Sequence, residues 1–110
     1  MIPLIANNLE EIIRIAKTHH VKGLWLFGSA AGQGIDGNTF GPDSDVDFLV
    51  EFDPEIYDIE RYNSFDIYMD LCDALKELLG RNVDLVSTRA RNSERFKRNV
   101  EQQKLFIYAA

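Results

Sequence analysis

The chain has 110 residues, 45% of them hydrophobic, which suits a single domain (1–110) with a real core and leaves no room for a separate acceptor-binding domain. A formal net charge of −6 sets the surface as a whole against nucleic acid, so a polymerase or nonspecific DNA binder is not expected. One cysteine, Cys72, excludes an internal disulfide and a cysteine metal cluster; no membrane span or signal peptide is recognisable, and a cytoplasmic location is expected.

In chain order, Leu9, Ile12, Ile13 and Ala16 recur at helical spacing and predict an amphipathic first helix. It should end near His19-His20, since cations are favoured at a helix C-terminus and adjacent side chains on a helix point apart rather than sharing a metal. Leu24-Trp25-Leu26-Phe27 reads as a buried strand, with Trp25 expected in the core. It breaks at Gly28-Ser29, and the stretch rich in Gly34, Gly37, Gly41 and Pro42 reads as a helical turn and loop. A second strand runs through Val46 to Phe52. Tyr68, Leu71, Cys72, Leu75 and Leu79 form the stripe of a middle helix, with Asn63 or Ser64 as its cap and Gly80 at its end. Val83-Asp84-Leu85-Val86 is a third short strand. Phe96, Val100 and Ile107 suggest a last helix, capped by Asn92 or Ser93 and reaching Tyr108. The predicted order is α-β-α-β-α-β-α, an α+β (mixed α/β) fold with a small mixed sheet packed against helices.

Strand alternation organises the acids. Val46, Phe48, Val50 and Phe52 share one face of their strand, so Asp45 and Asp47 fall on the other. Asp84 likewise points away from Val83 and Leu85. If the two strands are neighbours, three carboxylates converge beside the Gly28-Ser29 turn. Anions that close raise one another's pKa unless a cation neutralises them. Oxygen donors without His or Cys select Mg²⁺ or Mn²⁺. Taken alone, an Asp-x-Asp pair is more often an ordinary polar turn, because Asp bonds nearby backbone N–H groups. The glycine turn and the third acid shift the balance toward a metal-dependent nucleotide site. Other motifs fail: a calcium loop starting at Asp36 has Phe40 at a ligand position, and a P-loop at Gly28 lacks its Lys.

The string Leu26-Phe27-Gly28-Ser29, followed by Asp43-Ser44-Asp45-Val46-Asp47-Phe48, resembles the minimal nucleotidyltransferases of the DNA polymerase β superfamily. The resemblance spans essentially the whole chain, including a closing segment from Phe96 that looks like the family's final helix ending in Ile-Tyr. It implies that Gly28 and Ser29 hold a nucleoside triphosphate and that Asp45, Asp47 and Asp84 are the catalytic, metal-binding acids. It further implies NMP transfer, chiefly AMP from ATP, with Mg²⁺ or Mn²⁺, to an acceptor hydroxyl. Relatives typically act as antitoxins beside a HEPN-domain partner protein.

Two departures stand out. Members often carry an Arg shortly after Gly-Ser, whereas this chain reads Gly28-Ser29-Ala30-Ala31-Gly32, and the loop to Asp43 is longer than usual. Either another cation substitutes or activity is weak or lost. Arg89, Arg91, Arg95, Lys97 and Arg98 offer a substitute that could reach phosphate or an acidic partner, or form only a solvated helix face. The competing function is therefore a non-catalytic module that neutralises its partner by contact. Leu105-Phe106-Ile107-Tyr108 suits either the core or a contact between copies.

Overall fold

The computed structural model describes residues 2–28, 44–89 and 104–110. Within them run α1 (Pro3–Ala6), α2 (Leu9–Thr18), β1 (Val21–Phe27), β2 (Val46–Phe52), a 3-10 turn (Pro54–Tyr57), α3 (Ser64–Leu79), β3 (Val83–Ser87) and β4 (Leu105–Ala109).

The helix ends follow local chemistry. Glu10 and Glu11 occupy the first turn of α2 and Lys17 its last, each favourable to the helix dipole. The His pair ends the helix as expected: His19 Nδ1 lies 2.7 Å from the Ile15 carbonyl oxygen, and His20 takes a left-handed φ of 62° that turns the chain into β1. Asn63 caps α3, its side chain accepting from the Asp66 N–H at 3.2 Å, and Gly80 terminates it with φ 64°.

The strands form one mixed sheet in the order β3-β2-β1-β4. β1 pairs antiparallel with β2 and with β4, while β2 and β3 are parallel, joined by a crossover through α3. One face of the sheet is covered by α2 and α3. There Ile12, Ala16, Leu71 and Leu75 meet Leu24, Leu26, Val46, Phe48 and Val50, all fully buried. Cys72 belongs to the same core. The α+β class and the mixed sheet backed by helices are thus as expected.

Two expectations need correction. The residues before Tyr108 do not continue a helix, because Leu105–Ala109 is a strand along β1, with Ile107 buried and Phe106 57% exposed. A short continuous apolar run that includes β-branched and aromatic types fits a pleated surface, and the pairing covers the outer edge of β1. The earlier part of that expected helix, Phe96 and Val100 with the caps Asn92 and Ser93, lies outside the described residues, as does the helical turn expected between β1 and β2. Trp25 is the other correction: it is half-exposed on the face away from the helices, not in the core. Its ring lies over Gly23, where any side chain would collide with it, and Lys104 Nζ stands 4.9 Å from the ring centre.

Candidate active site

The pairing of the strands puts the C-terminal end of β1 beside the N-terminal ends of β2 and β3. Asp47 is directly opposite Asp84 across the parallel β2–β3 ladder and opposite Phe27 across the antiparallel one. Neighbouring strands lie about 4.8 Å apart, so the two acids share a pleat row on one face. Asp45 precedes β2 by one residue and shares that face by alternation. Asp45 and Asp84 are exposed and Asp47 is half-buried.

Glycine is required where β1 ends. Gly28 has φ 68°, and a Cβ there would stand 2.6 Å from Asp47 Oδ2. A larger residue would meet both backbone strain and the carboxylate. Gly28 therefore shapes the space around Asp47. Its expected companion Ser29 lies outside the described residues.

Electrostatics ties the three acids together. Burial raises the Asp47 pKa to about 6, with further repulsion first from Asp84 and then from Asp45. Such an anionic edge, built only from hard oxygen donors, suits a divalent cation of the Mg²⁺ type. Among the described residues no three His, Cys, Asp or Glu side chains are already gathered as a metal-holding group. The backbone register brings Asp47 and Asp84 to one edge, with Asp45 one residue before β2.

Of the expected basic cluster only Arg89 is described, and it does not join the acids. It lies beyond the far end of β3, its guanidinium 3.8 Å from the Tyr57 ring centre. Among the described residues a cation that does reach the acid edge is Arg81, whose Nη2 donates to the Ser44 carbonyl oxygen at 2.7 Å. Sequence reading missed it. The available signal was its place between Gly80 at the end of α3 and the first residue of β3. Tyr68, expected only as part of an apolar stripe, uses its hydroxyl to donate to the Leu85 carbonyl oxygen. Burial, together with Cys72 and Asp84, raises its pKa.

A helix-backed mixed sheet with three acids beside a glycine turn has the layout of a nucleotidyltransferase. The family model described as Polymerase beta, Nucleotidyltransferase matches residues 10–110, and the chain belongs to that family. A Methanocaldococcus jannaschii protein provisionally named as a protein adenylyltransferase is 30% identical over 107 residues, covering 92% of this chain and 96% of the relative. A solved structure provisionally named a minimal nucleotidyltransferase matches with TM-score 0.69 at 28% identity, over 92% of this chain and 90% of the other. A chain of a structure of tri-AMPylated Shewanella oneidensis HEPN toxin in complex with MNT antitoxin shares the fold, with TM-score 0.62 at 20% identity. That match covers 96% of this chain and 72% of the other.

Proposed function

We propose that this chain is the antitoxin of a HEPN toxin pair and transfers AMP from ATP to a hydroxyl of its partner protein. The observation that carries this is the direct register of Asp47 with Asp84, with Asp45 on the same edge and Gly28 against Asp47. The reading is supported by the relative named for protein adenylylation and by the fold shared with a chain from a complex that contains an AMPylated HEPN toxin.

In this reading Gly28 and Ser29 hold the triphosphate, with Gly28 leaving room for it next to Asp47. Asp45, Asp47 and Asp84 would hold Mg²⁺ or Mn²⁺, whose chemistry is to neutralise the acids and the triphosphate and to polarise the reacting phosphate. The acceptor oxygen bonds to the α-phosphorus as the bond to pyrophosphate breaks. Asp84, exposed at the sheet edge, would join the metal or help to take the hydroxyl proton. Catalysis is then positioning and charge stabilisation. The reading also carries a cytoplasmic location, and no helix among the described residues is long and apolar enough to cross a membrane.

The test is incubation with ATP labelled at the α-phosphate, Mg²⁺ and the HEPN protein encoded beside this chain. Label should move to the partner with the wild-type chain and fall by at least about 10³-fold with Asp45→Asn/Asp47→Asn, as expected when charge-stabilising groups are removed. No transfer by a folded wild-type chain would end the reading. The absence of an Arg after Gly28-Ser29 supports the alternative, a module that neutralises by contact, in which case the double variant still neutralises the toxin.

A further inference from the structure

Among the described residues β3 is an edge strand, paired with β2 on one side. The ladder bonds Val46 N–H to the Asn82 carbonyl oxygen and Thr88 N–H to the Val50 carbonyl oxygen. In a parallel pair this pattern turns the backbone groups of Asn82, Asp84 and Val86 toward β2 and those of Val83 and Leu85 away from it. The outward carbonyls of the two residues flanking Asp84 are thus left to other partners.

Both are met by α3. Tyr68 donates its hydroxyl to the Leu85 carbonyl oxygen, and Cys72, one helical turn on, places its thiol sulfur 3.8 Å from the Val83 carbonyl oxygen. Just after the helix, Arg81 donates to the Ser44 carbonyl oxygen at 2.7 Å, next to Asp45. Helix α3 and its C-terminal turn therefore bond to the backbone beside two of the three acids. Neither Tyr68 nor Arg81 needs to touch substrate for this.

The geometry points to Tyr68 and Arg81 as positioning residues that set the spacing of the acid edge, Tyr68 by fixing β3 around Asp84 and Arg81 by fixing the entry to Asp45. This rests on the nucleotide-transfer reading for what the acids bind. The role resembles that of outer groups that orient metal ligands, whose loss typically weakens metal binding or activity by about 10-fold or more. An edge strand lacks a second neighbour to hold its register, so side-chain bonds from the covering helix carry that task.

The test uses the full chain with three variants, Tyr68→Phe, Arg81→Met and Arg81→Lys, and with Asn63→Ala as a control that weakens the start of α3 without touching either bond. Mn²⁺ alone is titrated calorimetrically, AMP transfer is resolved into kcat and the KM for ATP, and hydrogen exchange is followed over residues 83–87. Tyr68→Phe and Arg81→Met should each weaken Mn²⁺ binding and lower kcat by roughly 10-fold while the KM for ATP stays within about twofold. Exchange over residues 83–87 should speed up in Tyr68→Phe, and Arg81→Lys should regain most of the loss, since an ammonium can also donate to a carbonyl. Wild-type Mn²⁺ affinity and kcat in both Tyr68→Phe and Arg81→Met overturn the assignment, as does an equal loss in Asn63→Ala at matched thermal stability. A wild-type chain that binds no Mn²⁺ and transfers no AMP overturns the transfer reading and this role with it, and the wild-type trace alone tells that case apart.

Discussion

On the proposed reading, Asp47 is where folding and function pull against each other. Its pKa of about 6 in the folded chain exceeds that of an ordinary carboxylate, so the folded state holds the proton more tightly than the unfolded one. Both states are protonated at low pH. As pH rises toward 6 the unfolded chain ionises first, and stability falls across that window. Half-exposure screens the effect, which is worth on the order of 1 kcal/mol. Asp47→Asn should therefore raise the melting midpoint at pH 7.5 by about 4 °C, leave it close to wild type at pH 4, and abolish AMP transfer. Parallel thermal melts at the two pH values check the sign: a destabilised variant at pH 7.5 would show that the carboxylate is not strained there. Gly28→Ala is expected to lose about 1–2 kcal/mol from its left-handed backbone, with further loss of activity from the contact with Asp47 Oδ2. Urea unfolding and the transfer assay measure the two losses separately. At this scale the sequence was legible for placement, where alternation and turn chemistry put Asp45, Asp47 and Asp84 on one edge and a glycine turn at Gly28. Arg81 was hidden because its partner is a backbone carbonyl 37 positions away, which no local pattern encodes.

Among the elements, α3 has two duties. Its inner stripe of Leu71, Leu75 and Leu79 fills the core, and its Tyr68 and Cys72 reach the outer edge of β3. Helical spacing reveals the stripe but cannot distinguish a buried Tyr ring from a Tyr whose hydroxyl has a partner. Losing the cap in Asn63→Ala should lower stability by about 1 kcal/mol, read as a shift in the urea midpoint at unchanged slope. β4 was misread for a related reason. Ile107 lies seven residues after Val100, a separation that fits a helix, yet Leu105–Ala109 finds more pairing along the free edge of β1 than helix continuation would supply. Trp25 was misplaced because an unbroken apolar run does not say which face of a strand is covered. β1 is backed by helices on the side of Leu24 and Leu26, and Trp25 lies on the other.

For the molecule as a whole, the described helices α2 and α3 pack against one face of the sheet and leave chemistry to the other. The helix side is closed by the core, and the acids stand on the opposite face at one end. On the proposed reading, a divalent ion bound there would stabilise the folded chain by mass action, by about 2.7 kcal/mol at a concentration 100-fold above its dissociation constant. Mg²⁺ should accordingly raise the wild-type melting midpoint and leave that of Asp47→Asn unmoved. The most direct test of the central claim is paramagnetic: Mn²⁺ is added in small amounts to the isotope-labelled chain and the broadening of its amide signals is mapped. The account predicts that Gly28, Asp45, Val46, Asp47, Val83 and Asp84 broaden first, and that the effect disappears in Asp47→Asn/Asp84→Asn. Broadening centred instead on the acidic stretch Asp53 to Glu60, unchanged in that double variant, would contradict it.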